Sequence, residues 1–331
     1  MSEGTVRRRG ALVAVLAAVV LVVPASRPHV PVSDPTGYAV DCLAVGAAVN
    51  APGRTDGGKL PLFLEADESI GPLTIRRSFD TALPRSFGGS AAAGDRDAGV
   101  RSFVSWKPPG GDFRGAAEGR YDDQVRAWAA STPPGVFATS FHEPENDMTG
   151  PEFVALQRHL YGVVKQANPG IRWGPVYMAY WWDPAEPSHF IGDPAAWWPG
   201  EAYADFVGLD WYGPDPEPMT TSGSFRNWFQ TMRPTGLPLF ITEYGQYAVA
   251  DGERRDPAKE RARAEAIRQD AAWIAAHPRI RMWMYWQAVG AQGDWRMHDQ
   301  ASQRAWRAVA ASGCGAGEAR GSAAAEGRPA D

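Results

Sequence analysis

Cysteine is scarce: Cys42 and Cys314 are the only two in a chain of 331 residues. That excludes a disulfide-dense scaffold and a thiolate metal cluster. The six histidines are scattered, and His142-Glu143 is not followed by the second His of a zinc-protease helix. There is no phosphate loop ending in Gly-Lys-Ser/Thr and no dinucleotide fingerprint, and Gly88-Gly89-Ser90-Ala91-Ala92 lacks the closing Gly of a nucleophile elbow. No cofactor is implied, and a structural Ca²⁺ has no sequence support. Lys and Arg are not clustered and the formal net charge is -5, so a nucleic-acid partner is not expected. No internal repeat or separate binding module is visible beyond the rhythm described below.

A bilayer-spanning run is also missing near the N-terminus. The apolar stretch Ala11 to Val23 has 13 residues, against the roughly 20 that a spanning helix needs. It follows Arg7-Arg8-Arg9 and precedes Pro24-Ala25-Ser26, the pattern of an export signal over 1–25 with cleavage after Ala25. A twin-arginine route and an uncleaved membrane anchor are the alternatives. Residues 26–39 are Pro-rich and expected to form an extended linker. The protein is accordingly expected to be secreted and extracellular. In an oxidising compartment Cys42 and Cys314 can form a disulfide closing the domain; the alternative is two unpaired buried thiols. Residues 315–331 are mostly Gly, Ala, Glu and Arg with little to bury, and are expected to be a disordered tail.

Aromatic residues are abundant, with fourteen Trp. Trp has a flat apolar face and a polar edge, which matches a sugar's C–H face ringed by hydroxyls. Between 40 and 314 a strand–loop–helix rhythm repeats. Candidate strands are Leu43 to Val49, Leu73 to Phe79, Val100 to Trp106, Val136 to Phe141, Ile171 to Tyr177, Ala204 to Asp210, Pro238 to Thr242 and Ile280 to Trp286. Eight starts separated by 27 to 42 residues predict eight βα units, hence a single-domain (β/α)8 TIM barrel over 40–314. A monomer is expected. The capping box Thr149-Gly-Pro-Glu152 opens one helix, with Phe153, Leu156, Leu160 and Val163 at helical spacing. Tyr121, Val125 and Trp128 mark another, and Asp256-Pro257 opens a third. Phe87 to Gly99 has no apolar face and reads as a loop.

Two apolar strands run into a carboxylate. Val136 to Phe141 leads into His142-Glu143-Pro144, and Leu239-Phe240-Ile241-Thr242 leads into Glu243-Tyr244-Gly245. Barrel enzymes keep their chemistry at the C-terminal strand ends, and glycoside hydrolysis needs two carboxyl groups flanking one bond. Glu143 and Glu243, on the fourth and seventh strands counted, are therefore the candidate catalytic pair. Asp205 to Tyr212 brings Asp210, Trp211 and Tyr212 to the same rim, where the Tyr212 hydroxyl can donate to Glu243. Trp286 and Trp106 are expected as sugar-ring floors, and Trp181-Trp182 and Trp197-Trp198 as platforms for further sugar units. Glu145 is expected to be a solvated loop residue or a helix N-terminal charge; the alternative is a like charge acting on Glu143. His159 reads as a plain helix-surface residue.

His142-Glu143, Trp173 with Pro175, Trp197 through Tyr212, Ile241 through Gly245 and Gly293 through Arg296 resemble glycoside hydrolase family 26, the β-mannanase-type barrel enzymes. The resemblance covers the chain from the fourth strand onward. It implies Glu143 as acid/base, Glu243 as nucleophile, His142 as a contact to the reacting sugar, Tyr212 as the partner of Glu243, and retention of configuration. The family commonly continues His-Glu-Met-Asn-Gly-x-Trp; here Met148 stands where that Trp would line the reacting subsite. The substrate is thus expected to be a β-linked polysaccharide or oligosaccharide: mannan first, β-glucan or xylan next. A barrel that binds glycan without cutting it, and a hydrolase of the cell's own surface polysaccharide, are the alternatives.

Overall fold

The strands that form the sheet are buried on both faces along most of their length. The computed structural model describes residues 42–50 and 59–314; the expected signal, linker and tail lie outside the described residues. The elements are β1 (Ala44–Val49), α1 (Lys59–Ile70), β2 (Ile75–Asp80), β3 (Arg101–Trp106), α2 (Phe113–Ala117), α3 (Asp122–Ser131), β4 (Phe137–Ser140), α4 (Gly150–Ala167), β5 (Arg172–Trp173), β6 (Val176–Met178), β7 (Val207–Gly213), α5 (Gly223–Met232), β8 (Leu239–Gln246), α6 (Pro257–Ala275), β9 (Ile280–Gln287), a short hairpin of β10 (Val289–Gly290) and β11 (Gly293–Asp294), and α7 (Gln300–Ser312).

One sheet runs in the order β5-β4-β3-β2-β1-β9-β8-β7-β6, and every pairing in it is parallel. Its two ends are the halves of a single strand, separated only by Gly174-Pro175. Gly174 donates to Ala138 on one side at 3.3 Å, and Pro175 accepts from Gly208 on the other at 2.8 Å. The ring therefore closes as an eight-stranded (β/α)8 barrel. The expected strand Ile171 to Tyr177 breaks because Pro175 has no N–H for the ladder. A Cβ on Gly174 would sit 2.2 Å from the Phe206 carbonyl, so that approach admits only glycine.

Two apolar layers hold the barrel. Inside it, Phe103, Phe206 and Phe240 pack with Ala44, Ile75, Val176, Met282 and Met284, with the Phe206 and Phe240 rings stacked at 4.6 Å. Outside it, the opposite strand faces pack on the helices. α4 begins as expected: the Thr149 N–H donates to Glu152 at 2.9 Å, and Phe153, Leu156, Leu160 and Val163 are buried. The second unit has no α-helix, as read. Its loop is pinned by Asp95, which is buried, accepts from Arg76 at 2.8 Å and accepts from Ser102 at 2.9 Å. The strand carrying Asp210 extends further than expected, to Gly213, and the one carrying Glu243 extends to Gln246.

Cys42 and Cys314 are joined, across a sequence separation of 272. The Cys314 N–H also donates to the Leu43 carbonyl at 2.9 Å. Loop-closure entropy for so long a span puts the expected loss on replacing both cysteines by serine at about 5 kcal/mol. A denaturant melt of the double variant against the oxidised protein measures it. Among the described residues no helix is long and apolar enough to cross a membrane.

Candidate active site

Strand parity decides what reaches the barrel mouth. On β8, Phe240 belongs to the interior, and Leu239 and Ile241 to the outer layer. Strict alternation would send Glu243 outward with them. The ladder slips instead: Leu209 pairs with Ile241 but Asp210 pairs with Glu243, and the register with β9 also shifts between Ile241 and Tyr244. Thr242 is the extra residue of a β-bulge. It and Glu243 both turn inward, Thr242 donating to Asp210 at 2.6 Å. At the end of β4 the backbone turns differently. Phe141 and Glu143 both adopt left-handed conformations, with φ of 52° and 55°. Such residues persist only where their surroundings hold them. Here the Glu143 N–H donates to the Val176 carbonyl of β6 at 2.9 Å.

The two devices bring Glu143, Asp210 and Glu243 together, with one carboxylate oxygen of each within 4.8 Å of the others. The cation among them is a guanidinium. Arg77 Nη1 lies 2.5 Å from Asp210 and 2.9 Å from Glu243, and its plane packs on Phe79 and Phe103. Tyr212 donates its hydroxyl to the other oxygen of Glu243, the contact expected from the sequence. Burial works against the Arg77 charge, but Asp210 and Glu243 outweigh it and raise its pKa.

Three carboxyls and one guanidinium cannot all be ionised in a buried site without a large cost. Burial pushes all three carboxyls up. Arg77 pulls most directly on Asp210 and Glu243, which it touches, and the Tyr212 hydrogen bond also pulls Glu243 down. Glu143 touches no cation. Burial, then Asp210 and Glu145, push it up to about 8. Of the three, Glu143 is the carboxyl without an ion-pair contact to Arg77, and so the one best placed to carry a proton. His142 is neutral: burial, then the Arg77 and Lys107 charges, hold its pKa well below the usual imidazole range. Its Nδ1 is buried without a partner, and its ring leans on Phe79 at 5.3 Å.

No protein-family model matches the chain, and no curated protein matches it in sequence. The similarities are structural. The chain is similar to the catalytic domain of a Bacillus sp. GH26 endo-β-1,4-mannanase, with TM-score 0.50 and 16% identity, over 74% of this chain and 77% of that one. It is similar to a fungal β-1,4-galactanase, with TM-score 0.50 and 12% identity, over 80% of this chain and 93% of that one. It is also similar to a glucosidase from Croceicoccus marinus, with TM-score 0.51 and 12% identity, over 80% of this chain and 66% of that one. At these identities the shared property is the barrel.

The trio lies in a cleft of about 1370 Å³ that also takes in His142, Tyr212 and Trp286. Trp286 is half-buried, with its ring edge-on to Phe79 and Tyr212. Trp211 borders the cleft, but its ring is 5% exposed and stacked on Tyr244, so it is wall and not platform. Two expectations fail. Trp106 is 1% exposed and packs on Trp128 and Trp173 in the outer layer. It stands three residues from the inward Phe103 and so faces the other way. Trp182 is fully buried against Tyr177 and donates its indole N–H to Glu145. In the short 3-10 turn that carries it, 179–182, Ala179 and Trp182 are the buried residues. Trp197 is buried too, and Trp181 and Trp198 are half-buried. The exposed ring in the cleft is Tyr180, stacked on His189 at 3.8 Å.

Glu145 is a further correction. It is not solvated: it is 9% exposed, and its carboxylate takes the Met178 N–H and the Trp182 indole. Met148 is buried in the outer layer and does not line the cleft. His159 contacts Asp122 at 2.7 Å, tying α4 to α3. Sequence reading missed Arg77. Its signal was there: Arg76-Arg77 between Leu73, Ile75 and Phe79 in a candidate barrel strand marks charges that need buried partners.

Proposed function

We propose that the protein is an exported, retaining endo-β-glycanase related to glycoside hydrolase family 26. It hydrolyses O-glycosidic bonds in a β-linked polysaccharide, with mannan the first candidate and β-glucan or xylan the next. The observation that carries this reading is the approach of Glu143 and Glu243, with carboxylate oxygens within 4.8 Å at the floor of an open cleft. Retaining enzymes hold their carboxyl pair about 5 to 5.5 Å apart, and inverting ones leave room for a water between. The mannanase and galactanase barrels with which the chain shares its fold point to the same substrate class, and the disulfide suits an oxidising compartment.

Glu243, ionised beside Arg77, attacks the anomeric carbon. The bond to the leaving oxygen breaks as Glu143 gives that oxygen its proton. The sugar is then esterified to Glu243 and Glu143 is a carboxylate. Glu143 takes a proton from water, the hydroxide attacks the same carbon, and the Glu243 carboxylate leaves. Two inversions return the β configuration. Neutral His142, which lines the cleft, contacts a hydroxyl of the reacting sugar, and Trp286 forms its floor.

Incubation with mannan, mixed-linkage β-glucan and xylan should release new reducing ends from one of them. The β anomer should appear first by proton NMR. No product from any of the three sinks the reading; a first-formed α product sinks retention. Because Glu143 must carry its proton to act as acid, kcat/KM should fall as pH rises through about 8. A profile that stays flat from pH 7 to 10 would place the acid elsewhere.

A further inference from the structure

One buried carboxyl enters the chemistry above only through its charge on Glu143. Glu145 stands two residues past Glu143, and its recorded partners are all neutral N–H donors. The Met178 N–H reaches both of its oxygens, at 3.1 and 3.2 Å. The Trp182 indole reaches it at 3.2 Å. Trp182 is itself fixed, its carbonyl accepting from Asn227 at 2.9 Å. Tyr177, against which it packs, donates to the Trp197 carbonyl at 2.8 Å. The Glu145 side chain is thus bolted to a rigid block made of β6 and the turn that follows it.

The same strand holds Glu143. The Glu143 N–H meets the Val176 carbonyl and the Glu145 carboxylate meets the Met178 N–H, with Pro144 between them. These two attachments flank the left-handed Glu143, whose backbone would relax without support. A buried carboxyl is a costly anchor unless its hydrogen bonds are made; burial pushes Glu145 up to about 8. Further along, the loop is also held by Asn146 against the Met178 sulfur and by the exposed pair Asp147–Lys107, but Glu145 is its buried attachment beside Glu143.

We propose that Glu145 is a positioning residue: through Met178 and Trp182 it locks the loop that aims Glu143 at the leaving-group oxygen. The inference rests on Glu143 being the acid/base. Its mark is leaving-group dependence. A poor leaving group, such as a sugar hydroxyl, needs the proton delivered along a correct line. A dinitrophenolate leaves without it. In Glu145→Ala, kcat/KM for a β-linked oligosaccharide of the cleaved polymer should fall roughly 100-fold, the lower end of what general acid catalysis contributes. For the dinitrophenyl β-glycoside of the same sugar it should change less than about threefold, since kcat/KM there reports a first step that needs no acid. Glu145→Gln keeps an acceptor for Met178 and should recover most of the loss. It also serves where the alanine variant does not fold, as judged by its thermal midpoint. Equal losses on both substrates, or no loss on either, overturn the proposal. A wild-type protein inert on both overturns the glycanase reading itself.

Discussion

Replacing Glu243 by alanine should reduce hydrolysis of the best polysaccharide substrate by roughly 10⁵-fold, the scale on which nucleophile removal is felt in other covalent hydrolases. The loss should fall on kcat, because the cleft walls and Trp286 are untouched. The fold should survive. Arg77 keeps its 2.5 Å contact with Asp210, so the buried guanidinium is not orphaned, and the net buried negative charge is smaller by one. A small anion such as azide, placed in the space vacated by the carboxylate, should restore turnover of a dinitrophenyl β-glycoside and give the α-glycosyl azide, since only one inversion then occurs. Initial rates and the anomeric configuration of the product check both parts. Residual activity within tenfold of wild type would remove Glu243 as nucleophile.

A large effect on stability, and the one most dependent on pH, is expected at Arg77. It is buried, and it joins Asp210 to Glu243. In Arg77→Met the apolar length is kept and the charge is lost, leaving two carboxyls facing each other with no cation. Removing one partner of a buried ion pair costs about 3 to 5 kcal/mol. The sign of the pH dependence follows from the protons. In the variant both carboxyls are held protonated well above their unfolded pKa, near 4, so the folded state binds more protons than the unfolded one. Stability then falls as pH rises from about 4 through the folded pKa values. Denaturant midpoints at pH 4.5 and pH 8 should therefore differ more in the variant than in wild type. A deficit that is flat with pH would mean the loss is one of packing on Phe79 and Phe103.

The barrel was legible because parallel strands are buried on both faces and read as short apolar runs at regular intervals. The closure at Gly174-Pro175 was not, since a proline inside an apolar run does not reveal that each half pairs with a different neighbour. The acids were legible as residue types at strand ends, but not how they turn inward. A one-residue bulge at Thr242 leaves composition unchanged and reverses the parity of everything after it. The same parity explains Trp106: a tryptophan at the end of a barrel strand has equal access to core and mouth, and only its spacing from Phe103 decides. Trp182 and Glu145 were misjudged together. Each looked like a surface residue in a polar turn, and each is buried because the other is there to satisfy it. Arg77 lay in plain view, but its partner Asp210 is 133 residues away.

The bond between Cys42 and Cys314 brings their Cα atoms to 5.3 Å. Cys42 precedes the start of β1, so this junction marks the end of the barrel where strands begin, opposite the end where Glu143 and Glu243 emerge. The two cysteines are near enough for a short peptide to replace the sulfur bridge. A circularly permuted gene that splices 314 to 42 and opens the chain between β2 and β3, where no α-helix stands, should still yield a protein that folds and keeps the wild-type rate of hydrolysis. A fusion partner appended at either cysteine would hang from the base and leave the mouth clear.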